Sequence, residues 1–335
     1  MKASKFPIIE IAGKKIPRVV LGQHPYDGTT YTSWKRDQEY RRRWNGPQSM
    51  VEMMKPIVQR FGLTASREVP TDSELSRWHQ EALRITMEKL NVEIALILGT
   101  ALPTSRRPET AEYLYRLSYE LAGEEFSKTW RNDPITRYRL ERRKGSEEDL
   151  DIFARKGMET PLSPPSEWSS IEVDYEKLDA MMDRYRDFNV PIFASNAAFE
   201  FLILARRYDE LQRVVKRIRD RFGVFLLGTH YAGIIIPMVE EAGVDVDGYL
   251  TPVNAEGIHM FPTQKLAVEA IYNAGKPVVA IKPLGGGRVH PSKAFKYIFH
   301  KLNVQATMVG IGSMGEAEET FASAVEVINN LRSKR

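Results

Sequence analysis

Residues 276–321 leave this chain little choice of fold. They read KPVVAIKPLGGGRVH, then a helical segment, then QATMVGIGSMGEAEE. Residues 278–281 and 307–311 are apolar runs rich in β-branched side chains, as in strands buried on both faces. Each stops at a glycine-rich or polar turn just before a helix: Gly285, Gly286, Gly287 and Arg288 in one case, Gly312 and Ser313 in the other. Backbone N–H groups at such turns can approach an anion at a helix start. Two such turns on adjacent parallel strands are where a (β/α)8 barrel keeps a phosphate site, after strands seven and eight. Six more strands must then lie upstream.

The pattern supplies them. Strands are expected at 18–21, 62–66, 92–98, 191–195, 224–227 and 248–252, with helices at 49–60, 73–90, 175–188, 199–221, 234–242, 263–274 and 316–331. A hairpin at 8–11 and 14–16 precedes the first strand, placed to close the barrel bottom. Residues 29–48 read as a long polar, aromatic and basic loop. From 103 to 172 the alternation breaks, with a helix at 114–122, a basic run at 137–144 and a Pro/Ser turn at 162–166. That is too long for a plain loop, so a mostly helical cap over the strand ends, or an oligomer contact, is expected there. The whole, 1–335, reads as one α/β domain: a TIM barrel carrying the 103–172 insertion after strand three.

Composition narrows the function classes. Hydrophobic residues make up 42% and charged residues 27%, an ordinary globular balance. No apolar run reaches the ~18 residues of a membrane span, and MKASKFPIIE has no signal-peptide core. The absence of cysteine excludes disulfides, thiolate metal sites and a cysteine nucleophile. It fits a cytoplasmic protein, and the abundance of Arg, Glu and Tyr leads us to expect a thermophilic source. A net charge of +4 does not argue for nucleic acid. The basic runs at 41–43 and 137–144 read as solvated faces, or as funnels for an anion if they fold over the mouth.

The motifs at 16–28 (IPRVVLGQHPYDG) and 228–318 (GTH…VDVDGYLTPVN, KPLGGG, VGIGSMGEAEE) resemble an aldo-keto reductase-type barrel, and in particular a divergent, functionally uncharacterised branch of it. The likeness covers the C-terminal third and the first strand, and leaves out the insertion. It implies oxidoreductase chemistry, with NADP held at Gly285, Gly286, Gly287, Arg288, Gly312 and Ser313. The reductases place an Asp and a Tyr after strand two, a Lys after strand three and a His after strand four. At those places this chain has Arg67 and Glu68, Thr100 and Asn196, so none of the four roles transfers.

Other strand-end residues must then supply the chemistry. Four of the six histidines fall there: His24, His230, His259 and His290, the last two reading as exposed loop residues. The catalytic candidates are His24, Glu68, His230 and Lys282. In one arrangement Glu68 or His230 is a general base, with Lys282 or Arg67 as electrophile. Lys282 is expected to pair with a carboxylate or touch a phosphate, a Schiff base being its other use. Tyr26, Arg67, Asn196, Asn254 and Glu256 are candidate contacts to a small anionic substrate. In the alternative arrangement, His24 and His230 with Glu256, Asp27 or Glu68 hold a divalent metal for a hydrolase, lyase or isomerase. A third reading is a barrel without catalysis that binds or assembles through its basic segments. The insertion is the expected contact of any homo-oligomer.

Overall fold

The computed structural model describes residues 6–104, 111–125, 132–142, 144, 146, 148–149, 171–196 and 199–332. Eight parallel strands close into a barrel: β3 (Val19–Gly22), β4 (Ala65–Glu68), β5 (Ala95–Leu98), β6 (Ile192–Ala194), β7 (Val224–Gly228), β8 (Gly248–Pro252), β9 (Val278–Ile281) and β10 (Ala306–Gly310). The seam pairs β10 with β3, Thr307 against Val19 and Gly310 against Gly22. Successive side chains on a strand face opposite ways, so each strand feeds two cores. Val20, Ile97, Ala194, Leu226, Leu250, Val279 and Met308 fill the barrel interior. Leu21, Leu96, Phe193, Phe225, Leu227, Tyr249 and Val309 face the helices. Strands buried on both sides need unbroken apolar runs, which is why the runs were legible.

β1 (Ile8–Ile11) and β2 (Lys14–Pro17) form the expected antiparallel hairpin. Ile11 and Ile16, 1% and 0% exposed, join the interior cluster and plug its lower end. Burying two such side chains is worth roughly 1.5–3 kcal/mol each.

Helices surround the barrel: α2 (Pro47–Phe61), α3 (Glu74–Leu90), α6 (Tyr175–Asp183), α9 (Ala232–Glu241), α10 (Gln264–Asn273) and α12 (Met314–Arg332). Several starts are capped as sequence predicts. Ser73 accepts the Ser76 N–H and Thr263 that of Leu266. Three places depart from the expectation. The stretch 29–48 is not all loop: Ser33 caps a helix, α1 (Trp34–Arg43), that buries Asp37 and Tyr40. The helix expected over 199–221 is two, α7 (Phe199–Leu204) and α8 (Tyr208–Phe222), parted at Arg206 with φ +56°. After β9, the short α11 (Pro291–Lys296) runs on into a π turn, Tyr297–Lys301.

Of the 103–172 insertion, two helices are described, α4 (Ala111–Ala122) and α5 (Pro134–Arg142). Its neck is pinched where Thr104 bridges Val173 and the Asp174 N–H reaches the Pro103 carbonyl at 3.0 Å. The Pro/Ser turn at 162–166 lies outside the described residues. Among the described residues, no helix is long and apolar enough to cross a membrane.

Candidate active site

A cleft of about 870 Å³ opens at the C-terminal ends of the strands. This is the face where (β/α)8 barrels carry out chemistry. Loop 29–32 and α5 roof it. Asp37, buried in α1, accepts the backbone N–H and hydroxyl of Thr30, each at 2.8 Å, and the Tyr138 hydroxyl of α5 at 2.5 Å. The Tyr31 and Tyr138 rings meet edge-on, centroids 5.7 Å apart. One carboxylate thus joins the loop, α1 and the insertion.

Under this roof an amine and an imidazole meet. The Lys282 amine is 2.9 Å from Nε2 of His230 and 4.8 Å above the Tyr31 ring. Lys282 follows β9 directly and holds φ +53°, a left-handed conformation costly for a residue with a Cβ. Part of its surface opens to the cleft, yet its amine has lost most of its hydration. Burial first, and then the positive charge of Arg139, push the amine down to about 7, with Asp133 pulling weakly the other way. Burial also holds the His230 imidazole well below its ordinary range, helped by Lys282, His259, Arg139 and His24. At neutral pH the imidazole is therefore uncharged and the amine titrates.

Two polar clusters flank the pair. His259, 1% exposed, meets the His230 ring edge-on at 4.7 Å. Asp133 lies just before α5. One of its oxygens caps that helix through the N–H groups of Ile135 and Thr136; the other accepts the His259 N–H at 2.6 Å. The insertion is thereby pinned to the loop after β8. On the other side the Tyr31 hydroxyl is 3.2 Å from Nε2 of His24, whose Nδ1 is 3.7 Å from Asp27.

Arg67 and Glu200 line the cleft lower down. Arg67 points into the barrel and donates to the carbonyls of Ile97 and Ala194 at 3.1 and 3.0 Å. Burial lowers its guanidinium to about 10, still charged at neutral pH. Glu200 on α7 is 5% exposed, and burial raises its carboxyl to about 7 against the Thr229 hydroxyl and the His230 N–H that it accepts.

On the side expected to hold phosphates, Arg288 and the Gly312 N–H already have partners within the chain. Gly285, Gly286 and Gly287 all take positive φ, +56°, +69° and +78°, which suits glycine. The Arg288 guanidinium bends back onto four carbonyls, those of Tyr31, Thr32, Gly285 and Gly286, at 2.7 to 3.3 Å. It fastens the glycine turn to the roof loop. At the start of α12, Ser313 accepts the Glu316 N–H while the Glu316 carboxylate takes the Gly312 N–H at 2.9 Å. The other oxygen of Glu316 is held by Arg36 and the Tyr40 hydroxyl. This resembles a capping box with the Ser313-x-x-Glu316 spacing, the carboxylate taking the N–H one residue before the cap. A carboxylate occupies the anion cradle.

Four other expectations are corrected. Glu68 has 0% side-chain exposure and faces the helix layer, bound to His79 at 2.7 Å, Gln80 at 3.3 Å and the Tyr185 hydroxyl at 3.1 Å. It cannot serve as base in the cleft. Tyr26 is fully buried between Trp44 and His79, ring centroids 5.2 and 4.9 Å away. Asn254, 0% exposed, spends its side chain on the N–H and carbonyl of Ile258. Glu256 pairs with Lys293 at 2.5 Å outside the cleft, so it joins neither substrate nor a metal set with His24 and His230. Among the described residues, no group of three His, Asp or Glu side chains is placed to hold a metal. The cleft does bring together His24, Arg67, Asn196, His230 and Lys282. It adds Tyr31 and Glu200, which sequence reasoning did not single out, and Arg139 from the basic run 137–144 read as a solvated face or an anion funnel; His259, expected to be exposed, stands buried against His230.

No protein-family model matches the chain, and no curated protein matches it. Among solved structures, two of a putative aldo-keto reductase from Pseudomonas aeruginosa superpose with TM-score 0.50 at 11% identity, covering 98% of each chain. A Bombyx mori aldo-keto reductase solved in complex with NADP gives TM-score 0.47 at 10% identity, over 98% of this chain and 93% of that one. Identity so low speaks for the fold and not for the chemistry. The chain has an aldo-keto-reductase-like (β/α)8 barrel.

Proposed function

We propose, with that barrel as premise, an enzyme that performs acid–base chemistry on a small carbonyl compound bearing a carboxylate or phosphate. The observation that carries the reading is the contact between the Lys282 amine and the His230 imidazole at the strand ends. A group that titrates near the working pH is the most effective proton donor and acceptor. Lys282 moves the proton, and His230, neutral and in contact, passes it on. Glu200 is the second acid–base group. Arg67 and Arg139 give the cleft positive charge, which draws in an acid group and polarises the carbonyl. The volume lies within the ~300–1,000 Å³ usual for small-molecule sites.

NADP use is the finer form of the reductase reading, and the residues expected to hold its phosphates do not fit it as they stand. Arg288 is spent on carbonyls, and Glu316 sits on Gly312. Dinucleotide entry would require both contacts to open, so no step is assigned to a hydride donor.

A melting-curve screen of small oxo acids, sugar phosphates, inorganic phosphate and NADPH tests the proposal. A ligand at ~100 times its Kd adds about 2.7 kcal/mol of stability. An oxo acid or sugar phosphate should raise the melting temperature of the wild type and not of Arg139→Glu. If no acid or phosphate does so, the anionic-substrate reading fails. Tight NADPH binding by the wild type would instead point to a reductase with a rebuilt acid–base set.

A further inference from the structure

We propose that Lys282 is a covalent catalyst whose amine condenses with the carbonyl carbon of its ligand to form a Schiff base. The inference rests on the carbonyl reading above and goes one bond further. Its footing is geometric. The amine opens onto the cleft, is 2.9 Å from a proton-carrying imidazole, and lies over the Tyr31 ring. Among the described residues no carboxylate lies within ion-pair distance of it. A side chain is also kept at φ +53°, where glycine would be free of strain. An amine with no described carboxylate in contact, in a pocket that disfavours its charge, is a nucleophile.

The step balances without an oxidant or reductant. The nitrogen lone pair forms the C–N bond as the carbonyl π pair moves onto oxygen. His230 accepts one amine proton and returns it to that oxygen, giving a carbinolamine. The hydroxyl then leaves with the second N–H proton as water, and the C=N bond closes. The groups around the amine are His230, His259, Arg139, Asp133, Tyr31 and His24. Arg139 favours loss of the proton, while Asp133 and the face of the Tyr31 ring oppose it. Burial and Arg139 together leave about half of the amine uncharged near pH 7.

The probe is glyoxylate, a small acid with an aldehyde, added with cyanoborohydride at pH 7 and followed by peptide mapping of the intact wild-type protein. Lys282 should be labelled on the order of tenfold or more faster than surface lysines, which are almost wholly protonated there. Lys282→Met should lose that label and His230→Asn should slow it, with circular dichroism unchanged. Glycolate, the same acid without the carbonyl, is run beside it in melting curves. Label scattered over surface lysines, with glycolate still raising the melting temperature, overturns the Schiff base and leaves the anion reading standing. Scattered label and no effect of glycolate overturns both. Label on Lys282 without a glycolate effect upholds the nucleophile and removes the anion site.

Discussion

The two halves of the strand-end face use the same kinds of residue and reach opposite outcomes. In the glycine turn after β9 and at the start of α12, the charged groups have internal partners: Arg288 on four carbonyls, Glu316 on Gly312, Arg36 and Tyr40. At the ends of β7 and β9, Lys282 and His230 are half-buried and Glu200 is buried, none with an opposite charge in contact among the described residues, and desolvation moves each away from its ordinary range. Folding alone explains the first half, because satisfied polar groups cost little. It does not explain the second, where groups bearing perturbed proton affinities line a cleft, a pattern typical of functional sites.

Four substitutions would break or sharpen this contrast. Lys282→Met should lower kcat/KM on any substrate found in the screen by about 10²–10⁴-fold. Its melting temperature should hold or rise, since an apolar chain replaces a desolvated amine; a drop in activity that merely follows unfolding would remove Lys282 from the site. Glu68→Leu, in the helix layer, should do the reverse. It orphans His79, Gln80 and Tyr185, a loss of about 3–5 kcal/mol by urea unfolding, while activity per folded molecule is kept. Glu316→Ala should vacate the cradle of Gly312, Arg36 and Tyr40. We expect about tenfold tighter inorganic phosphate binding by calorimetry, at a stability cost near 1 kcal/mol for the lost cap. Unchanged phosphate affinity would mean that the cradle is only structural. The smallest effect is a shift in a pH profile. Only the uncharged amine reacts, so labelling of Lys282 should rise with pH through a midpoint near 7. Arg139 favours loss of that proton, so Arg139→Gln should move the midpoint upward by a fraction of a unit. A downward or absent shift would show that Arg139 does not act on Lys282.

What could be read from the sequence follows the same divide. The barrel was legible because strands buried on both faces are largely apolar, and seven such runs recur, β4 with Ser66, Arg67 and Glu68 being the exception. Glu68 was misjudged by the position of a strand end. Ending the strand at Ser66 leaves Glu68 in a loop at the mouth, whereas β4 runs through Glu68 and alternation sends Arg67 inward and Glu68 outward. Glu200 was hidden because nothing in the pattern of 199–221 marks the break at Arg206 that makes α7 a separate short helix over the cleft. Tyr31 and Arg139 come from polar stretches without apolar periodicity, and only tertiary contacts through Asp37 and Asp133 bring them inward. Glu316 was the exception: its capping spacing was present in the sequence, and it competes with any phosphate.

The pinched neck of the insertion matters on the timescale of descent. Thr104 and Val173 bring the two ends of the excursion side by side, so the barrel pays nothing in strand register for whatever lies between them. Among the described residues, the cap meets the mouth through Asp133, Tyr138 and Arg139. Substitutions in the cap can therefore alter the range of compounds admitted while leaving the pairing of the eight strands and the placement of the lysine beneath them in place.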